Sequence, residues 1–369
     1  MNTQLLEAAL KEASPNDVER ALGRESLDEH DVVALLSKAA LPYLEAMAQK
    51  AQALTRQRFG LTMQLYAPLY LSNECVNRCT YCGFSQELKI ARRTLSLANV
   101  VSEAEYLHTQ GFRHLLLVSG EAPRVIHLGY LENVARALRP RFDSLSVEVG
   151  TFDCAGYQRL AAAGIDGLTL YQESYLADVY RRVHLLGPKN RYDKRLSAMQ
   201  QAGQAGFRSL GIGALLGLGQ WQLEAFHLAM HGRNLSREFW KSRIGVSFPR
   251  IRANAAGSQA THPVTDRDLL QMICVMRLTL PDAELVLSTR EPAELRDRLM
   301  GIGITRMSAG SRTNPGGYSD EGCSGEQFSI EDERPAREVA KVLQERGFEP
   351  VWKDFDSGFM QSSPITEVG

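Results

Sequence analysis

Apolar residues recur at two different periods along this 369-residue chain. Up to about residue 57 they fall at helical spacing, as in Leu5, Leu6, Ala9 and Leu10. Ser14-Pro15-Asn16-Asp17 interrupts that run and starts a fresh helix. Beyond it the pattern changes. Short apolar runs predict strands at 64–71, 114–119, 144–149, 167–171, 210–216, 244–248, 284–288 and 305–308. Amphipathic stretches such as 101–110, 157–163 and 196–205 predict helices between them. Eight β-α units over roughly 250 residues match the size of a (β/α)8 TIM-type barrel. A doubly wound open sheet is the alternative that periodicity alone leaves open. The expected organisation is an N-terminal helical extension (1–57), the barrel (58–320) and a C-terminal extension (321–369).

Composition narrows the classes. Hydrophobic content of 44% and charged content of 23% are ordinary for a globular protein, and a net charge of −1 gives nucleic acid no electrostatic footing. The first residues lack the cationic start and apolar core of a signal peptide, and no stretch reaches the length of a membrane span. A reducing cytoplasm is the expected compartment.

The chemistry concentrates in Cys75, Cys79 and Cys82, spaced C-x3-C-x2-C within eight residues. A structural zinc site wants four closed ligands, commonly two C-x2-C-type pairs, and Cys154, Cys274 and Cys323 stand alone. Ferredoxin-type runs use C-x2-C-x2-C and a further cysteine. Three thiolates so placed can hold three corners of a cubane and leave the fourth iron open. The triad, with Tyr81 before its last member, resembles the signature of the radical S-adenosylmethionine (SAM) superfamily. The resemblance implies a [4Fe-4S] cluster whose open iron is chelated by SAM, the source of a 5′-deoxyadenosyl radical.

In a barrel, chemistry gathers where strands end, and polar groups recur there. Ser119-Gly120-Glu121 follows the second strand and resembles the superfamily's Gly-Gly-Glu stretch for the SAM amino group, with Ser in place of the first Gly. Glu148 lies in the third strand. Gly211-Ile212-Gly213-Ala214 resembles the strand beside the adenine; close packing explains it equally well. By resemblance Glu173 is assigned to the SAM ribose and Arg195 to its carboxylate, although solvated surface charges are the ordinary alternative. Arg290, in Ser288-Thr289-Arg290-Glu291, can grip a carboxylate through two parallel bonds, with Ser308 and Ser288 adding hydroxyls. A rim ion pair of Arg290 with Glu291 is the other reading. Ser247 and Arg250, beside the strand-ending Pro249, are weaker candidates.

Over nearly its whole length the chain resembles the 2-iminoacetate synthase family within the radical SAM aromatic amino acid lyases. The resemblance is carried by the cysteine run, Val-Ser-Phe-Pro-Arg, Leu-Ser-Thr-Arg-Glu, Ser-Ala-Gly-Ser, Pro315-Gly316-Gly317-Tyr318, Gln327-Phe328 and Pro350-Val351-Trp352-Lys353-Asp354. It implies a tyrosine lyase that splits the Cα–Cβ bond to 2-iminoacetate and p-cresol for thiamine thiazole synthesis. It also implies a complex with thiazole synthase and a flavodoxin or ferredoxin as electron donor. The hydrogenase-maturing relative carries a second cluster on C-terminal cysteines, for which nothing after Cys323 offers ligands; Cys323 reads as a structural thiol. A tryptophan-processing lyase shares the clamp. A non-catalytic iron–sulfur scaffold would explain the cysteines and leave the other motifs idle.

Overall fold

Alternation along the first barrel strand shows how the fold is specified. In β1, Thr62–Ser72, the residues Leu65, Ala67, Leu69 and Leu71 join the large apolar cluster between barrel and helices, whereas Tyr66 and Tyr70 join a smaller one inside. In β2, His114–Ser119, Leu115 and Leu117 face out and Leu116 and Val118 face in. Both faces are therefore buried, as in parallel sheets.

The computed structural model describes residues 1–319 and 324–353. The remaining barrel strands are β3 Ser144–Glu148, β4 Gly167–Thr169, β5 Ser209–Gly213, β6 Arg243–Ser247, β7 Glu284–Leu287 and β8 Arg306–Ser308. All neighbours pair in parallel, and β8 returns to β1 through Gln64↔Arg306, Leu65↔Met307 and Tyr66↔Ser308, which closes the ring. The open-sheet alternative is thereby excluded. Helices fill the connections, from Leu97–Thr109 after β1 to Ala336–Glu345 after β8. A last parallel strand, Glu349–Val351, pairs with β1 at Thr62–Gln64, below the point where β2 takes over that edge.

Four α-helices precede the barrel, and the break at Ser14 is a capping box with Asp17. They pack against the outside of the barrel. Gln271, buried in helix Asp266–Thr279, donates to the carbonyls of Leu35 (2.8 Å) and Ser37 (3.1 Å). Arg277 on the same helix is fully buried; it lies 4.7 Å from the Phe59 ring centre and donates to the carbonyls of Pro281, Ala283 and Gly303. No helix among the described residues is long and apolar enough to cross a membrane.

Candidate active site

The three cysteines ride on the long connection after β1, and one arginine holds that connection together. The Arg92 guanidinium donates to the carbonyls of Asn73 (2.6 Å), Phe84 (2.9 Å), Ser85 (2.7 Å) and Leu88 (3.2 Å). Asn73 ties the loop's two ends, accepting from the Arg93 N–H at 2.7 Å and donating to Ala91 and Gly325. Arg78–Cys79 forms a short antiparallel pair with His184–Leu186. Gly120 lies so close that a Cβ there would meet the Glu74 carbonyl at 2.3 Å and Cys75 at 3.1 Å. The family's small residue is therefore a steric requirement at this position.

Tyr81 is oriented by His184. Nδ1 of that ring is 2.8 Å from the Tyr180 carbonyl and must donate, so Nε2 accepts from the Tyr81 hydroxyl at 2.7 Å. Burial, helped by neighbouring Lys189, pushes the imidazole down to about 3 and keeps it neutral.

Cys75, Cys79 and Cys82 are all free thiols. Among the described residues no three His, Cys, Asp or Glu side chains converge as ligands of a single ion would. A cubane takes one thiolate per iron, and three free thiols on one connection match three of its four corners. Burial pushes Cys79 up to about 12 and raises Cys82 also, so ionisation awaits the positive charge of iron. Of the other cysteines, Cys154 begins a helix and Cys274 is buried in another, while Cys323 and Asp354 lie outside the described residues.

The residues expected to hold SAM form a connected set. Glu121 accepts from Asn77 Nδ2 at 2.7 Å and occupies the space that a side chain at Gly150 would take. Asn77 Oδ1 accepts from the Lys189 backbone N–H at 2.9 Å. The Lys189 ammonium donates to Glu173 at 2.6 Å, and Arg195 lies 3.6 Å from the same oxygen. Arg195 also donates to the Tyr171 carbonyl at 2.7 Å. Glu173 and Arg195 are 8% exposed each, which rules out the solvated-charge alternative. Burial raises the Glu173 pKa, but Lys189 and Arg195 outweigh it and leave the carboxyl below its usual range. Glu173 adopts φ +67°, the left-handed region rarely used by non-glycine residues, as strained site residues do. Gly211 and Gly213 meet Thr169 and the Tyr171 ring from inside the barrel, so close packing accounts for both.

At the other end, the rim pair of Arg290 with Glu291, the alternative to a carboxylate clamp, does not form. Glu291 is taken by Arg250, whose Nε lies 3.0 Å from both oxygens, and by Arg252 at 2.7 Å. Arg250 is thus committed to structure. Arg290 pairs with no carboxylate among the described residues; its guanidinium carbon lies 3.3 Å from the Phe328 ring centre. Ser288 accepts from the Arg290 N–H at 3.4 Å. Ser308 accepts from the Thr289 N–H at 3.0 Å, and its carbonyl is held by buried Arg296, itself paired with Asp332.

Between these ends lies a chamber walled by Tyr66, Tyr70, Leu116, Val118, Tyr171 and Phe328 and reached by Arg290, Ser288 and Ser308. A second cavity, lined by Tyr81, Cys82, Glu173 and Lys189, shares Glu148, Tyr171, Arg290 and Phe328 with it. One continuous space therefore runs from the cysteine loop to Arg290. Gln327 roofs it, accepting from the Tyr70 hydroxyl at 2.7 Å through its side chain and from the Gly83 N–H at 3.0 Å through its carbonyl. Sequence reasoning missed Asn77, Arg92, His184 and Lys189. Asn77 and Arg92 at least sat beside the cysteines; the other two carried no local signal.

A barrel with this loop and chamber defines a radical SAM enzyme, and comparisons agree. Residues 69–229 match the radical SAM superfamily model, and 247–349 match the Biotin and Thiamin Synthesis associated domain. The chain is 45% identical over 342 residues to the 2-iminoacetate synthase of Escherichia coli (strain K12), covering 92% of this chain and 91% of that one. It is 43% identical to the 2-iminoacetate synthase of Salmonella typhimurium (strain LT2), covering 94% and 92%. The crystal structure of HydG, a maturase of the [FeFe]-hydrogenase, superposes with a TM-score of 0.90 at 29% identity, covering 97% of this chain and 83% of that one. The chain belongs to the 2-iminoacetate synthase family. Its cofactors are a [4Fe-4S] cluster and SAM.

Proposed function

We propose that the chamber binds L-tyrosine with its carboxylate on Arg290 and Ser308, Ser288 assisting, and its ring among Tyr66, Tyr70, Tyr171 and Phe328. The chain is then a lyase that cleaves the Cα–Cβ bond to 2-iminoacetate and p-cresol, supplying the thiazole of thiamine. The observation that carries the substrate assignment is the Arg290 guanidinium in an aromatic chamber, without a carboxylate partner among the described residues because Arg250 and Arg252 neutralise Glu291.

Cys75, Cys79 and Cys82 hold the cluster in this reading, and Tyr81, Glu121, Glu173 and Arg195 hold SAM. Bound together, cluster and SAM supply the radical that takes a hydrogen atom from the substrate's amino group. The chain's own part is placement. Arg290 fixes the charged end of tyrosine, the aromatic wall orients the ring, and the roof at Gln327 keeps bulk water from the reacting centre. Thiazole synthase as recipient of the labile product, a flavodoxin or ferredoxin as electron donor, and a cytoplasmic setting complete the proposal. So does the division into 1–57, 58–320 and 321–369.

Anaerobic turnover of the reconstituted protein with SAM, reductant and tyrosine or tryptophan tests it. p-Cresol and 5′-deoxyadenosine from tyrosine are expected; deoxyadenosine only with tryptophan would move the substrate. Arg290→Ala should weaken tyrosine binding by about 2–5 kcal/mol while SAM still binds. Near-normal tyrosine affinity in that variant would remove Arg290 from the clamp.

A further inference from the structure

Among the described residues, four other carboxylates near the chamber each have a partner. Glu121 has Asn77, Glu173 has Lys189 and Arg195, Glu291 has Arg250 and Arg252, and Glu284 beneath has Arg243 and Arg306. Glu148 is the exception. It is the last residue of β3, its side chain opens into both cavities, and no hydrogen bond or ion pair reaches its carboxyl among the described residues. Arg290 lines both cavities too, so the two side chains meet the same pair of spaces.

Glu148 and Arg290 do not touch. No ion pair within 4.0 Å joins them, yet Arg290 draws the Glu148 pKa down against the larger upward push of burial and the repulsion of Glu173. Among the described residues, then, a carboxyl without a partner and a guanidinium without a carboxylate face one space across a gap. An α-amino acid presents the complementary pair of charges on one carbon, with its ammonium and carboxylate two bonds apart. Burying either protein charge without a counter-charge is costly, so the pair favours a zwitterion over a neutral or singly charged ligand.

We propose that Glu148 receives the α-ammonium of the substrate whose carboxylate Arg290 holds. The inference rests on the tyrosine reading and adds a residue to it. With both charges engaged, Cα is pinned between Glu148 and Arg290 and the amino group is turned toward the cavity lined by Tyr81 and Glu173. There the hydrogen is taken, and the phenol points away among Tyr66, Tyr70 and Tyr171. Two contacts converging on Cα fix orientation where the carboxylate contact alone leaves a rotation free.

The test is equilibrium binding to the anaerobic holoenzyme with SAM present and no reductant, so that nothing turns over. Two ligands are compared: L-tyrosine, and 3-(4-hydroxyphenyl)propionate, which keeps the carboxylate and phenol but lacks the amine. The wild type is expected to prefer tyrosine, and Glu148→Gln to lose about tenfold or more in tyrosine affinity. Its affinity for the amine-free ligand should hold or improve. Glu148→Asp, which keeps the charge, should retain part of the preference. Equal weakening of both ligands in Glu148→Gln would make Glu148 a wall residue and overturn the proposal. Loss of SAM binding with tyrosine preference intact would overturn it in favour of a cofactor contact. A wild type that binds the amine-free ligand but shows no preference for tyrosine would overturn it directly. A wild type that binds neither would remove the tyrosine reading itself, and this inference with it.

Discussion

Glu148 also leaves a mark on stability. Burial first, then Glu173, raises its carboxyl to about 7, against 4.5 for a free glutamate, with Arg290, Lys189 and Arg195 pulling the other way. Below about pH 4.5 the group is neutral whether the chain is folded or not, and it costs nothing. Between about 4.5 and 7 the unfolded chain ionises while the folded chain resists, so the cost grows and is complete above 7. Glu148→Gln, measured without cluster or ligands by denaturant midpoints, should match the wild type near pH 4.5. It should gain about 1–3 kcal/mol by pH 8, water in the chamber keeping the figure below that of full burial. An unchanged difference across that range would mean the carboxyl titrates normally. Residue roles were partly legible in the sequence. Arg290 follows a strand and Ser308 ends one, where chemistry is expected in a barrel. Their being free or bonded was not legible, because it depends on Arg250 and Arg252 reaching Glu291 from another connection. Lys189 and His184 belong to a segment with no period of its own, placed beside the cysteines by tertiary pairing alone.

At the scale of elements, the eight strands stand where the apolar runs predict them. The differences are at the ends. The runs 167–171 and 210–216 outlast β4 and β5, yet the backbone stays aligned: Leu170 and Gln172 donate to the carbonyls of Gly211 and Gly213, and Glu173 bridges to Ala214. The apolar pattern tracks burial, which continues after ladder geometry fades. The pairs at 78–79 with 184–186, and the strand at 349–351, are two or three residues long and hold too few positions to show a period. The connection after β1 is the element most dependent on one side chain. Arg92→Ala strips four carbonyls of their donor and should lower iron and sulfide bound after reconstitution severalfold, with far-ultraviolet circular dichroism little changed. Full cluster occupancy in that variant would show that the loop is held by its other contacts.

At the scale of the whole molecule, exposed apolar side chains lie beside the cysteine connection. Val76, Leu185 and Leu186 are exposed by 41%, 45% and 52%, and Gly187 packs against Asn77 and Val76, which sets them side by side. Arg78 pairs in register with Leu186, and Arg181 and Arg182 end the helix that leads into this segment. Arg78 is paired with Glu87 and Arg181 with Asp178, so the patch offers a one-electron carrier mainly apolar surface close to the cysteines. Leu186→Asp should slow cluster reduction by reduced flavodoxin about tenfold and leave reduction by dithionite unaltered. Equal rates with flavodoxin would place the carrier elsewhere.

The roof at Gln327 gives the two halves of the enzyme a common fastening. Its carbonyl holds Gly83, one residue past Cys82; its side chain holds Tyr70; its neighbour Phe328 stacks on Arg290. Whatever orders the cysteine connection therefore also orders the wall against the substrate's carboxylate grip. By reciprocity, a coupling carried by this fastening acts on metal assembly and amino acid capture by the same factor. Tyrosine should bind the cluster-loaded chain more tightly than the cluster-free one, and tyrosine should slow loss of iron to a chelator, so that an incomplete enzyme does not sequester substrate.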